Sequence, residues 1–142
     1  MRITILLLLL ILAFSVYGYA ASGTEEKEFQ EQCGKSADKF FGRAIENGFR
    51  SDDKKTETMD YRHHYNRKLN KCFILVTTTI LPKFKDETVV LFKELLDISE
   101  MKAYGEIFAE KNGNKPFGCK VLERFCHSEG EWDSLVKPYM EE

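Results

Sequence analysis

Four cysteines, Cys33, Cys72, Cys119 and Cys126, constrain this chain more than any other feature. If they oxidise, two covalent ties decide which segments lie side by side before any packing is considered. Disulfides persist outside the reducing cytosol, so the compartment decides the question. The N-terminus speaks to that compartment. Arg2 is followed by an almost wholly apolar run over residues 3–16, and then by small residues at Gly18, Ala20 and Ala21. A basic start, an apolar stretch and small residues at its end are the three parts of a secretory signal. A bilayer-spanning helix needs about 20 apolar residues, and this run is shorter. The expectation is a cleavable signal peptide over residues 1–20 and a single disulfide-bonded domain over residues 21–142. That domain should carry no membrane span and lie in the periplasm or outside the cell.

Removal of residues 1–20 leaves 142 − 20 = 122 residues, enough for one domain with a single modest core. An even cysteine count in a small exported chain reads as two disulfides. Four cysteines allow three pairings, and spacing favours Cys33–Cys72 with Cys119–Cys126. The second pair closes a short local loop. The first ties an N-terminal helix to a central strand across a long loop, where a crosslink removes about 4 kcal/mol of unfolded-state entropy. Structural zinc sites favour ligands in close pairs such as Cys-x2-Cys. The chain has no such pair, so neither a metal nor another cofactor is expected.

Charge narrows the partners. Arg2 alone leaves with the leader, so 21 − 1 = 20 basic residues face 23 acidic ones, for 20 − 23 = −3. This balance gives no electrostatic reason to expect nucleic acid. Arg62, Arg67, Lys68 and Lys71 cluster in one stretch. Asp86, Glu87, Glu94, Asp97, Glu100, Glu106 and Glu110 dominate another. Both read as solvated faces of neighbouring strands.

Periodicity supplies the architecture. Phe29, Cys33, Ala37, Phe40 and Ala44 recur at helical steps, which predicts a helix over residues 24–47 with Thr24 as its N-cap and Gly48 at its stop. The polar stretch 50–58 reads as a loop. Residues 59–66 and 71–81 read as a hairpin about a turn at 67–70. The second of these strands opens with a near-continuous apolar run, as a central strand covered on both faces does. Residues 88–98, 104–111 and 119–125 supply further strands. Ser128 with Glu131 three residues on is a capping box. Trp132, Leu135, Val136 and Tyr139 then form an apolar stripe, so a short helix should start near Glu129 and stop near Pro138. The fold class is α+β: an N-terminal helix, an antiparallel sheet of three to five strands with the helices on one face, and a short C-terminal helix.

The stretch from His64 to Phe73, with Tyr65, Asn66, Leu69, Asn70, Lys71 and Cys72, and the ending from Phe125 to Glu142, with Glu131, Trp132, Asp133, Leu135, Val136, Lys137, Pro138 and Tyr139, resemble two motifs of a group of small exported bacterial proteins of unknown function. The resemblance covers most of the mature chain. It implies a bacterial envelope location and attaches no activity.

Candidate sites follow from residue chemistry. Adjacent strand residues point to opposite faces, so His63 and His64 do not chelate one ion easily, although one of them could join His127 and a carboxylate such as Glu131. Tyr61, His63 and Tyr65 share one strand face. With Lys68 and Lys71 nearby they form a candidate patch for an anion, a glycan or a protein loop, against a reading of the tyrosines as core aromatics. Ser128 beside His127 is better explained as a helix cap than as a nucleophile. No catalytic set is recognisable. Two functions result: a non-enzymatic, inhibitor-like interaction module whose partner is an envelope or host protein, and a small envelope hydrolase using one of the histidines.

Overall fold

A computed structural model describes residues 2–48, 55–82, 88–111, 113 and 115–141, with side chains over 23–46, 57–81 and within the described residues from 88 onward. The chain runs α1 (Arg2–Gly48), β1 (Lys55–Asn66), β2 (Lys71–Pro82), β3 (Val90–Asp97), β4 (Lys102–Glu110), β5 (Gly118–Val121), β6 (Arg124–Phe125) and α2 (Glu129–Met140). The strands form one antiparallel meander in the order β1-β2-β3-β4-β5-β6. The α+β class is as expected, with six strands instead of three to five. The extra strand comes from residues 119–125, which fold as a hairpin about Leu122 (φ 51°) instead of as one strand.

β2 organises both layers. Cys72, Phe73, Ile74, Leu75 and Val76 are all buried. Phe73 and Leu75 join the larger core with Leu95, Ile107, Val121, Trp132 and Val136. Ile74 and Val76 join Ala37 of α1, with Phe40, Phe41 and Leu96 packed around them. Successive strand residues point to opposite sides, so α1 and α2 cover opposite faces of the sheet. This corrects the expectation of both helices on one face. A strand with consecutive apolar residues needs cover on both sides, and one helix cannot provide it.

The disulfides pair Cys33 with Cys72 and Cys119 with Cys126, with Cα atoms 5.4 and 5.1 Å apart. The first pins α1 to β2. The second ties β5 to the chain just after β6, next to the start of α2.

Three further boundaries differ from expectation. Helical backbone runs unbroken from Arg2 to Gly48, so Thr24 lies inside the helix and does not cap it. Residues 55–58, expected in a loop, pair with β2 from Lys55↔Pro82 onward. Their polar composition is that of an edge strand, where charge discourages pairing with other chains; the rest of that expected loop, 50–54, lies outside the described residues. α2 passes Pro138 and ends at Met140. Proline there removes one hydrogen bond in the last turn, and the turn is held from outside by Asn66, which donates to the carbonyls of Pro138 (2.9 Å) and Tyr139 (3.4 Å).

At the other end of α2 the expected cap forms. Ser128 Oγ accepts from Glu131 N at 3.1 Å, while Glu131 Oε2 accepts from His127 N at 2.8 Å, one residue ahead of the usual capping-box donor. Lys93 of β3 reaches Glu129 at 2.7 Å and Asp133 at 3.1 Å and lies over the Trp132 ring, 5.5 Å from its centroid. Two acids and a ring on α2 thus converge on one strand lysine.

A bulge at Leu95/Leu96 inserts Tyr104 into β4. Its ring meets Phe73 and Tyr139 at 5.0 and 5.4 Å. Gly105 follows because β5 comes close: a Cβ there would sit 3.0 Å from the Lys120 carbonyl oxygen and 3.0 Å from Val121 Cγ2. The backbone over 2–22 is helical, but its side chains, with the apolar run and the expected cleavage point, lie outside what is described. Among the described residues no helix is long and apolar enough to cross a membrane.

Candidate functional site

The residues singled out from sequence fall into three places. Tyr61, His63 and Tyr65 lie on one face of β1, as alternation requires, and α1 lies against that face. Tyr61 donates its hydroxyl to Asp38, a bond that raises the Tyr61 pKa above its ordinary value, with burial as the second cause. Its ring packs on Phe41 at 4.3 Å. Tyr65 stacks on Phe29 at 5.1 Å and donates to Asn70 Oδ1 at 2.6 Å. The imidazole of His63 lies against Gly34, where an added Cβ would meet Cε1 at 3.1 Å and Nε2 at 3.3 Å. Lys68 is exposed in the 67–70 turn. Lys71 projects to the opposite face, where it pairs with the buried Asp97 and with Glu100 (2.8 Å). Hydrogen bonds to these two carboxylates raise its pKa. Asp97 also accepts from Ser99 N at 2.9 Å, so one buried carboxylate anchors Lys71 and the β3–β4 turn together.

The histidines do not assemble a reaction centre. His63 Nδ1 is buried without a hydrogen-bond partner among the described residues, and His127 is exposed ahead of α2. Ser128 is engaged as the cap. Among the described residues no three His, Cys, Asp or Glu side chains converge as metal ligands, and no cysteine is free. An open cleft of about 820 Å³ does run between α1 and β1 past His63 and His64. Its charges largely neutralise one another: Lys35 pairs with Glu31 at 2.7 Å, Arg67 with Glu26 at 3.4 Å, and Asp38 takes the Tyr61 hydroxyl.

Chain comparisons add no relative. No family model, curated protein or solved structure matches this chain.

The surface that stands apart is the half of the sheet beyond α1. That helix lies over β1 and β2 and reaches Leu96 of β3; among the described residues no helix lies over the rest of that side of β3–β6. Strand register places its side chains. One row crosses all six strands as Tyr61, Val76, Glu94, Glu106, Lys120 and Phe125. The next row sets Phe92 opposite Phe108, with ring centroids 6.5 Å apart, and Phe117 rests on Phe108 at 5.3 Å. A hydrogen bond of 2.8 Å from Phe117 N to the Phe108 carbonyl holds this third ring in place. Phe108, Phe117 and Phe125 are 41%, 63% and 72% exposed. Single exposed apolar residues are ordinary; Phe92, Phe108 and Phe117 instead form one run of neighbouring rings.

Sequence reading placed these phenylalanines in or near strands without distinguishing their side. The available signal was a failed alternation. Ile107, Phe108 and Ala109 are consecutive apolar residues in β4, as are Val90, Leu91 and Phe92 at the start of β3. Strands with one wet face alternate, so Phe92 and Phe108 put apolar side chains on the side of the sheet that α1 covers only over β1, β2 and Leu96 among the described residues.

Proposed function

We propose that this chain is an exported, disulfide-held binding module of a bacterial envelope, which engages a protein partner through the open half of its sheet and carries out no catalysis of its own. The observation that carries this reading is the aromatic surface of Phe92 and Phe108, on strands whose other face is the core, with Phe117 resting on Phe108 and Phe125 on β6. Rigid strands crosslinked at both ends of the domain suit a preformed docking surface, because little ordering entropy is lost on binding. The basic, apolar and small-residue order at the N-terminus supports export, as do two formed disulfides. The resemblance of the 64–73 and 125–142 stretches to exported bacterial proteins supports the envelope as its place.

Mass spectrometry of the protein released by an exporting host tests this. Under denaturing conditions the mass should begin at Ala21 and fall four hydrogens below the reduced form. Under native conditions it should carry a partner that is lost when Phe108 and Phe117 are both changed to Ser. A full-length reduced chain, or a complex indifferent to both substitutions, contradicts the proposal.

A further inference from the structure

The open sheet face holds two carboxylates at its centre. Glu94 and Glu106 stand directly opposite each other on β3 and β4. Like charges in such cross-strand positions destabilise a sheet. Glu94 is half-buried, and among the described residues neither carboxylate makes a hydrogen bond or ion pair. Burial, then the Glu106 charge, pushes the Glu94 pKa above its usual 4.5. Lys120 is Glu106's neighbour on β5 and remains exposed, without an ion pair among the described residues. The fold elsewhere pairs its partly buried charges closely: Lys93 has two carboxylates and Asp97 has Lys71. A half-buried acid left facing another acid is therefore a local departure from how this chain treats charge, and such departures belong to sites with a job beyond folding.

The surroundings define what would answer it. One strand step from the carboxylates lie the paired rings of Phe92 and Phe108, with Phe117 beyond, and Phe125 closes the row on the β6 side. Aromatic faces attract cations, and aromatic side chains around a central charge are the composition of binding hot spots. Two carboxylates alone are too few donors for a calcium site, which takes six to eight oxygens.

Resting on the binding reading above, we infer that the partner docks a basic side chain, arginine or lysine, over Glu94 and Glu106, with apolar residues on either side of it laid on Phe92, Phe108 and Phe117. The cation relieves the repulsion between the two acids, and the flanking apolar groups cover the exposed rings. Arginine suits the site best, since its planar guanidinium can bridge two carboxylates and stack on a ring.

The probe is the peptide acetyl-Leu-Phe-Arg-Phe-Leu-amide, with a second peptide in which citrulline replaces arginine to remove the charge and keep the shape. The readout is the side-chain carboxyl carbon resonances of Glu94 and Glu106 in the oxidised protein. The arginine peptide should shift both saturably. The citrulline peptide should bind at least about tenfold more weakly, as should the arginine peptide to an E94Q/E106Q protein, while changing Glu141→Gln, at the end of α2 on the other side of the sheet, leaves binding unaltered. Equal response to both peptides, or none to either, overturns the inference. Shifts reproduced by calcium chloride alone overturn it in favour of a metal site. If the peptides fail while the native complex still depends on Phe108 and Phe117, the binding module stands and its cationic partner chemistry falls. If both fail, both fall.

Discussion

Asn66 Nδ2 lies 2.9 Å from the carbonyl oxygen of Pro138, seventy-two residues further along the chain. Asn66 is 1% exposed, and its Oδ1 accepts from Leu69 N at 3.0 Å. One amide thus closes the β1–β2 turn with its oxygen and caps the last turn of α2 with its nitrogen. Phe73 and Tyr139 meet beside it with centroids 5.4 Å apart. The two sequence motifs that drew attention together therefore meet in space, at a node that holds the C-terminal helix to the first hairpin.

Asn66→Ala should cost about 1–3 kcal/mol, the penalty for leaving buried groups unpaired. Asn66→Asp should cost at least as much, because a carboxylate would then face two carbonyl oxygens. Urea unfolding of both variants measures the loss, and amide exchange should show the α2 C-terminus opening first. A loss confined to the 67–70 turn would contradict the capping role.

Gly34 is a poor helix residue in the middle of α1, yet Gly34→Ala should destabilise the protein by roughly 1 kcal/mol instead of stabilising it. The added methyl meets the His63 ring at 3.1 Å. His63→Ala should therefore reverse the sign: in that background Gly34→Ala becomes neutral or stabilising. Thermal melts of the four proteins in the cycle report it, and strict additivity would show that the ring is not the obstacle.

Removal of the Cys33–Cys72 bridge should lower stability by about 2–4 kcal/mol. In Cys72→Ser, Cys33 should become alkylatable on unfolding while Cys119 and Cys126 stay protected until reduction. Labelling followed by peptide mass mapping distinguishes the outcomes, and an unlabelled Cys33 would mean another pairing.

The raised pKa of Glu94 predicts a pH dependence of definite sign. The folded state holds this proton more tightly than the unfolded state, whose value is near 4.5. The stability it contributes is complete below that value and is lost as pH climbs through the folded pKa. Glu94→Gln should therefore melt at a higher temperature than the parent at neutral pH, and the gap should close as pH falls through the raised folded pKa toward 4.5. A parent that is more stable than the variant at pH 7 would show that Glu94 has a stabilising partner.

The residues differ in how plainly they announce their roles. Ser128, Glu131 and Trp132 specify α2 locally, and the residue pattern of β2 specifies a strand covered on both sides; each reads directly because the determining contacts lie within a few residues or on one strand. That same pattern already implied helices on opposite faces, and the layered expectation overlooked it. Pro138 misled for the opposite reason: its remedy, Asn66, lies on another element. Glu94 and Glu106 were visible as residues, but their opposition depends on a register shifted by the Tyr104 bulge. The exposed side of β3–β6 depends on how far α1 extends across the sheet, which no local pattern encodes.

A partner that binds the open sheet face must come within reach of Phe117 and Phe125 and not of Lys137. Benzoylphenylalanine placed at Phe117 or Phe125, and at Lys137 on α2 as a control, tests it by photocrosslinking in exporting cells. Discrete adducts of the same mass should form from both face positions and be absent from position 137. Adducts equal at all three positions, or arising from position 137 alone, would contradict it.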